Sequence, residues 1–149
     1  TGSADGNVRL WSLETSTTLV EYRAHVGAVW DVRFGPHGVT FISASRDGTA
    51  AVWVPHETSP VRVLVGHVSD VECAMIHPNS TYALTGSLDG TVRVWDLADG
   101  GCARVLNGAS NSVNAVAVSP SGGLVAGGCD GGEVLLWRIT DEAPIARLT

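Results

Sequence analysis

The chain has 149 residues, 44% apolar and 16% charged, with 18 glycines; a charged fraction well under the usual ~25% and glycine well above ~7% exclude disorder and favour many turns. Nine arginines, no lysine and 15 acids give a net charge of −6. That is the wrong sign for gripping a phosphate backbone, so no direct nucleic-acid binding is expected.

With 21 valines and no apolar run near the ~18 residues of a membrane helix, the composition reads as all-β, and no membrane partner is expected. The chain opens at Thr1 and its only methionine is Met75, so it reads as a piece of a longer protein. Thr1 to Gly6 leads into a hairpin turn, and residues 1–24 form the end of a unit whose tryptophan is Trp11.

The next stretch holds four predicted strands. Val29-Trp30-Asp31-Val32-Arg33-Phe34 is followed by a Gly35-Pro36-His37-Gly38 turn, in which proline presets φ and glycine supplies the positive-φ position. Thr40 to Ser45 runs into Arg46-Asp47-Gly48-Thr49, a hairpin signal, and Ala50 to Val54 returns antiparallel. A polar loop then leads to Val61-Arg62-Val63-Leu64-Val65.

The pattern repeats. Trp11, Trp53, Trp95 and Trp137 are each 42 residues apart, and Pro36, Pro78 and Pro120 keep the same step. Laid without a gap over 67–108, residues 25–66 show 14 identities in 42, where chance gives about three. The units are therefore 25–66, 67–108 and 109–149. A single sheet of short strands cannot bury both faces, so it needs stacked neighbours, and four strands per 40 to 45 residues is the blade of a β-propeller.

Gly66-His67 at the start of a unit, Ser-x-x-x-Asp-Gly-Thr in its middle and Trp95-Asp96 at its end resemble WD repeats along the whole chain. The fold class expected is all-β, a partial ring of four-stranded antiparallel blades. The resemblance implies a roughly seven-bladed ring, of which the chain supplies about half. Its other partners are then the missing blades of its own chain, and the segment alone is expected to aggregate or to pair with another copy.

His25, Ser43 and Asp47 have the composition of a hydrolase triad. The same set returns one step later as His67, Thr85 and Asp89, with Trp53 and Trp95 at a constant distance. Tandem duplication argues against catalysis. In WD repeats the equivalent residues form a structural hydrogen-bond network, and the resemblance implies that role for these eight positions.

In the third unit Ala109, Gly127 and Gly131 stand at the histidine, hydroxyl and aspartate positions, with Asp130 one place early. This unit is expected to lack the network. It should rely on packing of Val113, Val116, Val118, Leu124, Val125, Val134 and Leu136, and to be the softest.

Three stretches are similar to the propeller of the subunit-five family of TBP-associated factors in transcription factor TFIID: residues 28–34, residues 66–73, and above all His77-Pro78-Asn79-Ser80-Thr81-Tyr82. That likeness implies a nuclear, non-catalytic scaffold without cofactor. It implies docking to histone-fold TBP-associated factors within TFIID or a SAGA-type relative. A substrate receptor of a ubiquitin ligase, or another nuclear assembly scaffold, is the competing reading, and a Ser/His/Asp hydrolase is the enzymatic alternative.

By analogy with that family, partners meet the face carrying the loops that lead into each unit and the Asp-Gly hairpins. The positions there are Ala28, Asp70 and Ser112; Trp30, Glu72 and Asn114; and Arg46, Leu88 and Asp130. Trp30 and Arg46 are the favoured anchors, being of the residue types that most often act as hot spots, although Trp30 filling the wall between blades remains open. With one arginine among three acids, the face is ill suited to phosphopeptides. Cys73, Cys102 and Cys129 have no metal-ligand spacing and are expected to be buried thiols. No metal is expected; His37, His56 and His77 read as loop residues.

Overall fold

The computed structural model describes residues 1–23 and 25–149. Fourteen strands form it: β1 (Asn7–Ser12), β2 (Thr17–Arg23), β3 (Val29–Phe34), β4 (Phe41–Ser45), β5 (Thr49–Trp53), β6 (Arg62–Val65), β7 (Val71–Ile76), β8 (Tyr82–Ser87), β9 (Val92–Asp96), β10 (Cys102–Leu106), β11 (Val113–Val118), β12 (Leu124–Cys129), β13 (Val134–Arg138) and β14 (Ala146–Leu148). The only helical element among the described residues is a 3-10 turn at Pro36–Gly38. Among the described residues no helix is long and apolar enough to cross a membrane.

The strands make three four-stranded antiparallel meanders, β3 to β6, β7 to β10 and β11 to β14, preceded by the two-stranded β1–β2. This is a partial β-propeller. Short connections explain the antiparallel order, because a hairpin joins adjacent strands without a crossover. At the Asp47-Gly48 turn the Gly48 amide donates to the Ser45 carbonyl. Gly48 sits at φ +81° and its counterpart Gly90 at +79°, a region open to glycine and strained for other residues.

Each sheet buries one row of side chains against the next. Val8, Tyr22, Val29, Phe41, Ala51 and Trp53 fill the first seam, with the Tyr22 ring edge-on to Phe41 and Trp53 at 5.0 and 5.1 Å. Ile42, Val52, Leu64, Val71, Ile76 and Trp95 lie in the second. Leu84, Val94, Leu106, Val113, Val116, Val125, Leu135 and Trp137 lie in the third. Strand alternation puts the other row on the far face. That corrects the expected core of the last sheet: Leu124 and Val134 are exposed and Leu136 is half-buried, while Leu135 is buried.

Polar ties cross the seams as well. His77 is buried between two turns, donating from Nε2 to the Gly122 carbonyl at 3.0 Å while its Nδ1 accepts the Asn79 amide at 3.2 Å. Gly122, at φ +80°, lies so close that an added Cβ would stand 2.5 Å from the His77 ring. His77 is thus a loop residue, as expected, but a buried one that joins neighbouring sheets. His37 and His56 are exposed, at positive φ.

Candidate functional site

The repeated polar set lies inside the sheets. In the β3–β6 sheet, the Trp53 indole N–H donates to Ser43 Oγ at 2.9 Å, and Ser43 lies 2.8 Å from His25 Nε2. His25 Nδ1 donates to Asp47 Oδ2 at 3.0 Å, and that oxygen also accepts the Val26 amide at 3.1 Å. The carboxylate can only accept, so it fixes the Nδ1–H tautomer and leaves Nε2 to take the serine proton. Asp47 Oδ1 accepts the Thr49 hydroxyl and amide. Burial pushes the Asp47 carboxyl up, but these bonds and His25 outweigh it and hold the group below the usual range.

The β7–β10 sheet repeats the geometry. Trp95 donates to Thr85 at 2.8 Å, Thr85 lies 2.7 Å from His67 Nε2, and His67 Nδ1 lies 2.7 Å from Asp89. Burial lowers the His67 pKa, an effect that Asp89 only partly offsets, so the neutral ring is the resident form. Asp89 is also held low despite burial, by Thr91, His67 and the Val68 amide. Ser43 and Thr85 are wholly buried, and a substrate cannot meet either hydroxyl.

The last sheet lacks that network, as expected, and has a different tie beside its apolar packing. Gly127 stands where the hydroxyl would be, and the Trp137 ring occupies that space, 2.9 Å from where a Cβ would sit. The indole N–H turns instead to the Asn107 carbonyl at 2.8 Å. Glu133, buried and two places beyond Gly131, accepts the Ser110 amide, as Asp47 and Asp89 accept those of Val26 and Val68. Arg147 on β14 pairs with Glu133 and donates to the Ser110 hydroxyl at 3.1 Å and the Gly108 carbonyl at 2.6 Å. Sequence reasoning missed this pair because its arginine sits in the outer strand, outside the motif positions.

Outside these ties, the same period builds an exposed lattice. Strands β3, β7 and β11 each carry a register shift at their second residue, between Val29 and Asp31, Val71 and Cys73, and Val113 and Ala115. The extra residues are Trp30, Glu72 and Asn114. A bulge leaves its extra residue out of the ladder and re-aims the side chain. Beside them the backbone bonds Arg46 to Ala28, Leu88 to Asp70 and Asp130 to Ser112, at 2.9, 3.0 and 3.0 Å. Each hairpin is thereby held against the loop that leads into its own sheet.

Trp30 is 50% exposed and Leu88 42%. Arg46, Asn114 and Asp130 are exposed; Ala28, Asp70, Glu72 and Ser112 are half-buried rather than exposed. The Trp30 indole N–H points at Asp70 Oδ2, 3.4 Å away. Asp130 is bonded by Ser112 and Asn114, which hold its carboxyl below the usual range. Burial, then the Asp70 and Asp130 charges, push the Glu72 carboxyl up. A cleft of about 320 Å³ opens beside them, lined by Arg46, Asp47, Gly48, His67, Val68, Ser69 and Asp70.

Among the described residues no group of three or more His, Cys, Asp or Glu side chains is placed to hold a metal. Cys73 and Cys129 are buried, and burial raises the Cys73 thiol to about 12. Cys102 is exposed at the bulged start of outer strand β10, against expectation. A second cleft, of about 290 Å³ and mainly apolar, lies beside the two-stranded sheet between Trp11, Leu13, Phe34 and Phe41.

The family description "WD domain, G-beta repeat" matches residues 16–54, 58–96 and 100–138. Each match takes the outer strand of one sheet and the first three of the next: β2 to β5, β6 to β9 and β10 to β13. WD repeat-containing protein 37 from Homo sapiens, and its counterparts from Pongo abelii and Mus musculus, are 44% identical over 45 residues. The similarity covers 30% of this chain and 9% of each relative.

Proposed function

The chain belongs to the WD-repeat family, and from that premise we propose that it is part of a scaffold that binds other proteins through the lattice of bulges and hairpin turns. One observation carries this reading: the groups with catalytic chemistry are buried and bonded to one another, whereas the residues left exposed at every repeat form a surface suited to contact. Trp30 and Arg46 are its anchors, since large aromatic and arginine side chains dominate the energetics of protein interfaces.

The finer reading is a subunit-five-type propeller of TFIID or a SAGA-type complex, docking histone-fold TBP-associated factors in the nucleus. Its support is the run His77 to Tyr82 together with residues 28–34 and 66–73. The relatives found by comparison carry another name, so this reading rests on those stretches alone. The test is pull-down of histone-fold TBP-associated factors with the full-length chain and with Trp30→Ala and Arg46→Glu. Loss of capture by folded variants is expected; capture unchanged by both would place the contact surface elsewhere.

A further inference from the structure

We propose that this face docks an extended, arginine-bearing basic segment of a partner protein, with a guanidinium over Trp30 and the carboxylates of Asp70, Glu72 and Asp130 answering its charge. The inference rests on the scaffold reading and specifies the chemistry of the partner.

Three observations lead to it. The bulges at one position of three successive inner strands place Trp30, Glu72 and Asn114 in a row. Trp30 is half open and its N–H is directed at Asp70. This leaves the ring available to a cation with a carboxylate at its edge. Across the row, Asp70 and Asp130 both repel charge on Glu72, so three carboxylates share one small region, with Arg46 lining the cleft beside Asp70. A bound cation relieves that repulsion, whereas a phosphate adds to it.

An arginine suits both halves of the surface. Its planar guanidinium stacks on an indole and donates to carboxylates in the same pose. Leu88, 42% exposed between Asp70 and the turn, gives an apolar contact for the methylene stem. An extended peptide laid across the three sheets can offer basic residues to this row.

The experiment uses the full-length chain and fluorescein-labelled peptides of alternating glycine and arginine, with citrulline and phosphoserine versions as comparators, measured by anisotropy at 150 mM salt. The arginine peptide is expected to bind and the others not. Trp30→Ala and Glu72→Gln should each weaken binding about fivefold, the scale of one exposed cation–π contact or surface ion pair. Glu14→Gln, remote from the face, should leave it unchanged. Glu72→Gln removes a repelled charge and keeps the side-chain shape, so the fold should tolerate it.

Absence of binding, a preference for citrulline or phosphoserine, or equal weakening by Glu14→Gln and Glu72→Gln would overturn the proposal. Histone-fold pull-down in parallel separates the two readings. Trp30-dependent capture without peptide binding defeats the basic-segment chemistry alone. Peptide binding without capture defeats the TFIID-type assignment alone.

Discussion

The β7–β10 and β11–β14 sheets have the same strand order and hairpins, yet they are tied by different chemistry. In the former, the tie runs from Trp95 through Thr85 and His67 to Asp89, closing the lead-in loop onto the hairpin of its own sheet. In the latter, Gly127 removes the relay, Trp137 turns to a backbone carbonyl, and Arg147 with Glu133 secures the loop from the outer strand. What recurs is the set of backbone groups that must be satisfied, because an unpaired buried group costs about 1 to 3 kcal/mol whichever side chain was meant to meet it. The two solutions differ in position: His67 and Asp89 have nearly inaccessible side chains, whereas the Arg147 side chain is 46% exposed.

The difference is open to attack by substitution. Removing Asp89 leaves the His67 ring N–H, the Val68 amide and the Thr91 hydroxyl without their acceptor. Asp89→Ala should therefore destabilise the full-length protein by about 3 kcal/mol in urea denaturation. A change below ~1 kcal/mol would show that water replaces the carboxylate.

Next in size is the attempt to give the last sheet the hydroxyl of its neighbours. Because a Cβ at Gly127 would stand 2.9 Å from the Trp137 ring, Gly127→Ser should cost about 2 kcal/mol by overpacking. A thermal melt with an unchanged or raised midpoint would show that the ring can return to the pose of Trp53 and Trp95.

Acidification gives the smallest effect. Burial holds the His67 pKa below its ordinary value, so the unfolded chain binds the proton at higher pH than the folded one. The resulting stability is complete above about pH 6.5 and declines as pH falls below it. The Asp89 contribution, from a depressed carboxyl, is lost only as pH falls through and below the ordinary carboxylate range near 4. Between pH 7 and 5, amide exchange corrected for intrinsic rates should quicken a few-fold in β8 and β9 and hold steady in β12 and β13, where Ala109 replaces the histidine. Equal change in both sheets would remove His67 as the cause.

The sheets were legible in the sequence because tryptophan, proline and the Asp-Gly turns recur at 42-residue steps, and strand alternation follows from local pattern. The polar set was legible for the same reason. Glu133 and Arg147 were not: each lies off the motif, and their meeting depends on which residues β13 and β14 bring into register. The bulges that present Trp30, Glu72 and Asn114 have no signature of their own, since a single extra residue is visible only against the strand it pairs with. His77 reads as a loop residue and does lie in the turn after β7; that this turn is buried shows only once the neighbouring Gly122 is stacked on it.

Each of the three sheets is closed by its own tie, of whichever chemistry. Native-state exchange of the indole N–H groups of Trp53, Trp95 and Trp137 tests it directly, since each donates to a single acceptor within its own tie or beside it. All three should exchange slowly; Asp89→Ala should accelerate Trp95 and spare Trp137, and Arg147→Ala should accelerate Trp137 and spare Trp95. If either substitution quickened all three indoles alike, or left its own indole unchanged, the ties would not be the local closures described.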